Sequence, residues 1–367
     1  MNRLLVICVL LAMLVASAPP LSAQDDPPRG PLDYIALHRD DLAVVCFDPL
    51  TPELGVYHNA DERFPLASAL KIAILAAYAE QIAAGDAALD DTYPADAIDA
   101  YYLPSSDSGA HAAFLEEIAA GSADLTLDDL LGGMIVYSSD AIADFLLAHL
   151  ERRTLPALYR RLGITSTDTP ISALGLYLVM SNHETGIASP DALTPATFWK
   201  DHAAFSQKYV TDPAWREEER AFRAQPLSGL PDYATHAAFL ARFGSQGTAA
   251  ELNALIRAAY SGDALDPAAQ EIMQRYLDWP LAGRTPLDAH FAHFGMKNGA
   301  WPGVLTATYY TIDHEGQAIA LTVLMRQVPP EQWMEWLTTL GELKFELEAI
   351  KTRCGVLEQS LVSESET

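Results

Sequence analysis

The sequence predicts an α+β fold in which one sheet is assembled from both ends of the chain. Two short strand patterns lie near the N-terminus, and three more follow Gly283. The long region between them has apolar residues at helical spacing. Because strands and helices are segregated along the chain and do not alternate, we expect a sheet beside a separate helical region.

The N-terminal strands are predicted at Leu42–Phe47 and Gly55–Tyr57, on either side of an Asp48-Pro49 turn. From Ser68 to Ile82, apolar residues recur at helical spacing with hardly a polar interruption, which predicts a buried helix. Two further helical stretches, rich in Ala and Leu, are predicted over residues 126–150 and 245–280.

The C-terminal part returns to strands and closes with a helix. Three strands are predicted, at His293–Lys297, Leu305–Ile312 and Ile319–Met325. An amphipathic helix from Glu331 to about Ile350 follows, and residues 351–367 are predicted to be a polar tail.

The composition excludes some classes of partner. The 367 residues include 23 Lys+Arg and 49 Asp+Glu, which gives a net charge of −26. An acidic surface repels nucleic acid and anionic membranes, so neither is expected as a partner. Half of the residues are hydrophobic, which indicates a sizeable packed core and excludes a disordered chain.

The first residues have the pattern of a secretory signal peptide. Arg3 precedes an apolar run over residues 4–18, and the small residues of Leu21-Ser22-Ala23 end the segment. Cleavage is predicted after Ala23, since the run is too short for a membrane-spanning helix. The context of Cys8 is not that of a lipid anchor. We therefore expect a secreted or periplasmic protein without stable membrane insertion, with a flexible leader over residues 24–33.

Two cysteines follow this segment, Cys46 and Cys354. In an oxidising compartment they can form a disulfide, and the alternative is that both are buried as small apolar residues. The sequence leaves both possibilities open.

Ser68 and Lys71 form a Ser-x-x-Lys motif at the start of the buried helix. Residues three apart share a helix face, which brings a hydroxyl and an amine within reach of each other. The helix N-terminus favours an oxyanion there and, with desolvation, a neutral amine that can take the serine proton. The alternative is an N-terminal cap and a surface lysine, but Lys71 interrupts an otherwise apolar helix.

Two later motifs can face the same site. Ser138-Ser139-Asp140 places a hydroxyl and a short polar side chain two residues apart, although helix capping alone would also explain it. Lys297-Asn298-Gly299-Ala300 ends a predicted strand, where Lys297 can present a cation and Gly299 permits close backbone approach. The alternative for Lys297 is protection of a sheet edge.

Together, these motifs and their order resemble the penicillin-recognising serine enzymes, the class A β-lactamases and penicillin-binding proteins. Phe64-Pro-Leu-Ala-Ser68 and Gly247-Thr-Ala-Ala-Glu-Leu252 extend the resemblance over about residues 40–350. It implies a class A β-lactamase-like fold with a five-stranded antiparallel sheet. It also implies one catalytic domain over 34–350, with an α/β part (34–67 and 283–350) and a helical part (68–282) that carries an insertion over about 165–244.

The resemblance also implies roles for individual residues. Ser68 would be the acylated nucleophile and Lys71 its proton partner. Ser138 would relay the proton to the leaving nitrogen, and Lys297 would hold that relay and the substrate carboxylate. The backbone N–H groups of Ser68 and Ala300 would form the oxyanion hole. Asp140, Asn298, Gly299 and Ala300 are the expected substrate-binding residues.

The sequence departs from the family pattern in three places. Asp140 stands where Asn is usual, and an ionised Asp cannot donate to a substrate amide. Asn298 replaces Thr. The family's deacylating glutamate is not found between the second and third motifs. Glu184, Glu217 to Glu219 and Asp232 lie there without the family's Glu-x-x-Leu-Asn context, and we expect the glutamate run to be a solvated helix face.

Hydrolysis of a β-lactam ring is therefore the first functional hypothesis. The alternatives are penicillin-binding or esterase-like acyl transfer with slow deacylation, and a catalytically silent binding protein on the same fold. A small-molecule or peptidoglycan-like substrate and a monomer are expected. No metal or organic cofactor is implied, because His290 and His293 lack further ligands and are expected to flank a strand.

Overall fold

The structure is a computed structural model that describes residues 37–225, 230–282, 285–340 and 344–362. The expected signal peptide (1–23), Cys8 and the leader (24–33) lie outside these residues, and they stay predictions.

The strands of the main sheet come from the two ends of the described chain, and the region between them is mostly helical. The strands are β1 (Leu42–Phe47), β2 (Val56–His58), β3 (Arg63–Pro65), β4 (Thr92–Pro94), β5 (Asp124–Thr126), β6 (Ser181–Asn182), β7 (Gly186–Ile187), β8 (Gln246–Thr248), β9 (Phe291–Trp301), β10 (Val304–Asp313) and β11 (Ala318–Met325). The first eight helices are α1 (Lys71–Ala84), α2 (Ala95–Asp99), α3 (Ala110–Glu117), α4 (Leu127–Ile135), α5 (Asp140–His149), α6 (Thr154–Leu162), α7 (Ala173–Met180) and α8 (Pro195–Thr211). The others are α9 (Pro213–Arg223), α10 (Tyr233–Phe243), α11 (Ala249–Ala258), α12 (Pro267–Leu277), α13 (Thr285–Asp288), α14 (Pro330–Leu340), α15 (Lys344–Lys351) and α16 (Gly355–Val362).

The main sheet has five antiparallel strands in the order β2-β1-β11-β10-β9. Strands from the two chain ends meet where β1 pairs with β11, and Val44 lies opposite Val323. This confirms the predicted α+β fold and its sheet built from both ends. Successive residues of β1 face opposite sides, so Val45 packs in one core layer and Val44 in the other. Both faces of the sheet are therefore covered by helices.

Helix α1 is the central element of the larger core. Lys71 to Ala79 are all buried, and the helix ends at Gly85, whose φ of +80° is one that glycine adopts readily. A 3-10 turn, Ala67–Leu70, precedes it. Within the described residues, Ala67–Ala84 is the one stretch apolar and long enough to cross a membrane, and 61% of it is buried inside the protein.

Several predicted helices are interrupted in the structure. Residues 126–150 form α4 and α5, with the break at Val136 to Ser139. The stretch 245–280 begins with β8, which pairs with β3, before α11 and α12. Helical periodicity does not reveal these breaks, because tertiary pairing and capping determine them.

The C-terminus differs from the expected polar tail. Part of that tail forms α16. Its Leu357 and Leu361 are buried in the core layer on one face of the sheet, together with Trp336 of α14. The structure also joins Cys46 of β1 to Cys354, just before α16, in a disulfide. Both cysteines are buried as well as bonded. The apolar contacts of Leu357 and Leu361 explain why this segment is ordered.

The stretch 165–244 forms helices α7 to α10, whose apolar side chains pack in a core cluster together with Leu103, Trp301 and Val304. Phe198, Tyr209 and Phe239 are fully buried there. Glu219 is also fully buried, where it pairs with Arg223 at 2.7 Å and accepts from the backbone N–H of His183 at 2.8 Å. The expectation that Glu217 to Glu219 form a solvated face is therefore wrong for Glu219, because a buried arginine neutralises its charge.

Candidate active site

One cavity brings the three sequence motifs together. It lies where the N-terminal end of α1, the connection between α4 and α5, and β9 meet helices α7 and α10. Seven of the eight predicted site residues line it: Ser68, Lys71, Ser138, Asp140, Asn298, Gly299 and Ala300. The eighth, Lys297, is 1% exposed and reaches the cavity wall through its amine.

Ser68 lies in the 3-10 turn just before α1. The preceding residue, Ala67, has a φ of +46°, a strained value for a residue with a Cβ. The hydroxyl of Thr306 donates to the carbonyl of Leu66 at 2.9 Å, and the Leu66 N–H donates to the carbonyl of Ser245 at 3.1 Å. These bonds tie the turn to β10 and to the residue before β8, so the position of Ser68 is fixed from two sides.

Lys71 is 7% exposed, so it is not a surface lysine. Its Nζ lies 2.6 Å from Asp140 Oδ1, 2.6 Å from the carbonyl oxygen of Ser138 and 3.4 Å from Ser138 Oγ. Lys71 and Asp140 therefore form a salt bridge, with side chains 8% and 17% exposed. A lysine held as an ammonium could accept the serine proton only after its own proton had passed to a neighbour.

The Ser138-Ser139-Asp140 triplet has both functions that the sequence allowed. Ser139 caps α5, because its Oγ accepts from the N–H of Ile142 at 3.2 Å, and it also bonds Nδ1 of buried His111 at 2.9 Å. Ser138, with a φ of +65°, and Asp140 face the cavity. The cap therefore orients the two outer residues of the triplet.

Lys297 approaches Ser138 from the opposite side. Its Nζ donates to Ser138 Oγ at 3.0 Å and to the carbonyl of Asn298 at 2.9 Å. Burial, and then the charge of Lys71, lower the pKa of the Lys297 amine well below its usual value. The Ser138 hydroxyl consequently lies between two lysine amines, an arrangement suited to moving a proton.

Gly299 packs directly against the backbone of the Ser68 turn. A Cβ added at this position would lie 2.7 Å from the backbone nitrogens of both Ser68 and Ala69. The predicted close backbone approach at Gly299 is confirmed. Because β9 lies this close, Ala300, the next residue, lines the cavity beside Ser68.

The rest of the cavity wall is mostly apolar and comes largely from residues that the sequence analysis did not single out. Tyr177 of α7 and Trp301 of β9 contact each other with ring centroids 4.6 Å apart and ring planes tilted by 36°. Trp333 and Leu337 of α14 also line it. These residues are far apart in the sequence and have no shared motif, so only the folded chain shows that they belong to one site.

Two further carboxylates, Asp107 and Asp144, were also missed. Asp144 Oδ2 accepts from Ser172 Oγ at 3.0 Å and from Leu174 N at 2.7 Å, and Oδ1 accepts from Ala173 N at 2.9 Å. Burial raises the pKa of Asp144 to about 7 in spite of these bonds. Its position, four residues after Asp140 on α5, is a helical spacing that could have signalled a shared face.

The expectation that His290 and His293 flank a strand is right for His290 and wrong for His293, which lies inside β9. His293 Nδ1 lies 2.7 Å from Asp278 Oδ2, and His290 is in the turn before β9. In the described part of the chain, no three His, Cys, Asp or Glu side chains are grouped to hold a metal ion.

The family is now identifiable from the whole sequence. A family model described as the Beta-lactamase enzyme family matches residues 33–343. The chain belongs to this family. The sequence matches no curated protein.

Solved β-lactamase structures share the fold. A β-lactamase from Sphaerobacter thermophilus DSM 20745 is 16% identical, with a TM-score of 0.53 over 84% of this chain and 94% of that one. A β-lactamase from Chitinophaga pinensis DSM 2588 is 15% identical, with a TM-score of 0.51 over 86% and 98%. The reconstructed class A enzyme of the last common ancestor of Gram-negative bacteria is 18% identical, with a TM-score of 0.51 over 86% and 97%. This chain therefore has the class A β-lactamase fold.

Membership of the β-lactamase family supports hydrolase activity of the β-lactamase type. The deacylating glutamate remains without a counterpart among the residues considered from the sequence. Glu184 pairs with Lys208 at 2.7 Å, Glu219 is bound to Arg223, and Asp232 caps α10. None of these three lines the cavity.

Proposed function

We propose that the protein is a serine hydrolase that opens β-lactam rings through an acyl-enzyme on Ser68. The observation that carries this proposal is the position of the Ser138 hydroxyl, 3.0 Å from Lys297 Nζ and 3.4 Å from Lys71 Nζ, in the wall of the cavity that Ser68 also lines. A hydroxyl held between two amines next to a second serine is suited to acyl transfer and has no evident structural purpose.

In the proposed acylation step, side chains of the site donate and accept every proton that moves. Lys71 first passes its proton to Asp140, and the neutral amine then takes the proton of Ser68 Oγ. Oγ forms a bond to the ring carbonyl carbon, and the amide C–N bond breaks. Ser138 gives its proton to the leaving nitrogen and recovers one from Lys71. The N–H groups of Ser68 and Ala300 stabilise the oxyanion, and each such donor contributes about 3 kcal/mol.

Two alternative functions differ from this proposal in the fate of the acyl-enzyme. A long-lived acyl-enzyme would indicate a penicillin-binding or esterase-like protein, and no acylation would indicate a silent binding protein. When ionised, Asp140 cannot donate to the side-chain amide of a penicillin, which favours small or weakly functionalised acyl donors over those recognised through that amide. We also propose that the mature protein is secreted or periplasmic and monomeric.

Intact-protein mass spectrometry after addition of excess penicillin or cephalosporin tests the proposal. Ser68→Ala is the matched control. An adduct on the wild type that is absent from Ser68→Ala, and that decays while antibiotic is consumed, is the expected result. Labelling that persists in Ser68→Ala would place the nucleophile elsewhere. An adduct that never decays would favour the penicillin-binding alternative.

Lys71→Ala should slow acylation about 10²- to 10⁴-fold without loss of the fold, because it removes the base in this scheme. Stopped-flow acylation kinetics together with circular dichroism would measure both. An unchanged acylation rate would exclude Lys71 as the proton acceptor.

A further inference from the structure

An acyl-enzyme turns over only if a group activates water, and the cavity itself limits which group that can be. Among the described residues that line it, three carry carboxylates: Asp107, Asp140 and Asp144. Residues 165–244 contribute Pro170, Ile171, Ala173, Leu176, Tyr177, His236, Leu240 and Gly244 to the cavity wall, and none of these carries a carboxylate.

The carboxylate of Asp144 is occupied by hydrogen bonds within the fold. Its two oxygens accept three hydrogen bonds from the start of α7, and the residue is 4% exposed. These bonds fix the inserted helices to α5. A carboxylate that is closed off in this way has little access to a water molecule in the cavity.

Asp140 is committed to Lys71. Its Oδ1 lies 2.6 Å from Lys71 Nζ, so this carboxylate oxygen is occupied by the lysine. It also has a different task in the acylation scheme, where it holds the proton of Lys71.

Asp107 lies on the loop between α2 and α3. One oxygen accepts from the N–H of His111 at 3.0 Å, and the N–H of Asp140 is a second donor. A carboxylate has about four lone-pair sites, so two donors leave room for a water molecule. The charges of Asp140 and Lys71 both act on Asp107, which therefore lies close to the proton-transfer groups. Burial and the charge of Asp140 make it a stronger base than an exposed aspartate.

We infer that Asp107 is the catalytic base that activates water for deacylation in this chain. This inference rests on the proposed acyl-enzyme and supplies its missing second step. Asp107 takes a proton from water, the water oxygen bonds to the acyl carbon, and the ester bond to Ser68 Oγ breaks. The proton then returns from Asp107 to Oγ, which leaves the acid product and the free enzyme. Asp107 lies in the α2–α3 loop, before the second motif. The family's glutamate, by contrast, lies between the second and third motifs.

Pulse-labelling of Asp107→Asn tests this inference. The full chain is mixed briefly with a fluorescent penicillin, unlabelled antibiotic is added, and the adduct is followed by mass spectrometry. We expect acylation within about threefold of wild type and decay at least about 100-fold slower, because only the second step needs this base. Asp96→Asn, which changes an exposed carboxylate on α2, should decay as wild type. Asp107→Glu should restore part of the decay rate.

Other outcomes separate the two proposals. An Asp107→Asn adduct that decays at the wild-type rate would overturn the role of Asp107 and leave the acyl-enzyme intact. A wild-type adduct that persists would also overturn it, because no deacylation base would then be at work. If wild type and variants all fail to form an adduct, the acyl-enzyme itself is excluded. Circular dichroism and melting temperature distinguish a folding defect of Asp107→Asn, and Asp107→Glu then decides the outcome.

Discussion

The ammonium of Lys71 lies 2.6 Å from the carboxylate of Asp140, and the two side chains are only 8% and 17% exposed. Such a pair is a poor source of net stability, because both charges lose hydration, yet removal of one partner leaves an uncompensated charge. In the proposed acylation step this pair gives the proton of Lys71 a group to move to. Asp140 would then act in proton transfer as well as in the predicted substrate-binding set.

Substitution of Asp140 should separate its two roles. Asp140→Asn keeps an oxygen that can accept from Lys71 and adds an amide that can donate to a substrate, but it no longer accepts a proton. We expect slower acylation, by about 10- to 100-fold, with a lower KM for penicillins that carry a side-chain amide. Steady-state kinetics on substrates with and without that amide would measure the change.

Asp140→Ala is the matched control, because it leaves the Lys71 ammonium without its partner. It should lower the free energy of unfolding by more than Asp140→Asn does, by about 1 to 3 kcal/mol in urea unfolding. Equal stability of the two variants would contradict an energetically important contact between Asp140 and Lys71.

Gly299→Ala should disturb the nucleophile directly. The added Cβ would lie 2.7 Å from the backbone nitrogens of Ser68 and Ala69, so β9 or the turn before α1 must shift. Such overpacking costs about 1 to 3 kcal/mol, and we expect a lower melting temperature and a large loss of acylation. Thermal unfolding and adduct formation would check both effects.

Gly132→Ala is the control, because no atom lies within 4 Å of its added Cβ and it is inside helix α4. There, alanine should raise stability by about 0.5 to 1 kcal/mol and leave acylation unchanged. A similar loss in both variants would show that the close approach at Gly299 is not the cause.

Strands and motifs were the most predictable features of this chain. The five sheet strands begin or end within four residues of their predicted bounds, because alternation of side chains between two faces is a local property. The Ser-x-x-Lys spacing likewise follows from one helix turn. Both patterns can be recognised in the sequence without knowledge of the tertiary structure.

The features that the sequence did not reveal depend on contacts between distant segments. The break before α5 follows from the capping of Ser139 and its bond to His111, a residue 28 positions away. The pairing of Lys71 with Asp140 and the position of Asp107 near them require the first turns of two helices and a loop to meet. The burial of Glu219 likewise depends on a distant contact, since its carboxylate accepts from the N–H of His183, 36 positions away.

The disulfide should stabilise the C-terminal helices on the sheet. It links Cys46 in β1 to Cys354 over a sequence separation of 308 residues. A Cys46→Ala/Cys354→Ala double variant should lose about 2 to 5 kcal/mol in urea unfolding, chiefly because the unfolded chain gains freedom. Wild type treated with reductant should show a similar loss, and the double variant should not respond to reductant. A wild type whose unfolding midpoint is insensitive to reductant would contradict this role.

The pH dependence of adduct decay should reflect the carboxyl of Asp107. Burial, and then the charge of Asp140, raise the pKa of Asp107 to about 6, while the His111 N–H, Lys71 and the Asp140 N–H oppose them. Tyr102 also faces this carboxyl. A general base works only when deprotonated, so decay should be slow below this pKa, rise through it and level off above it. Pulse-labelled enzyme moved to buffers between about pH 4.5 and 8 would give the profile. Asp107→Glu should shift the inflection, whereas a flat wild-type profile, or an inflection unchanged in Asp107→Glu, would assign deacylation to another group.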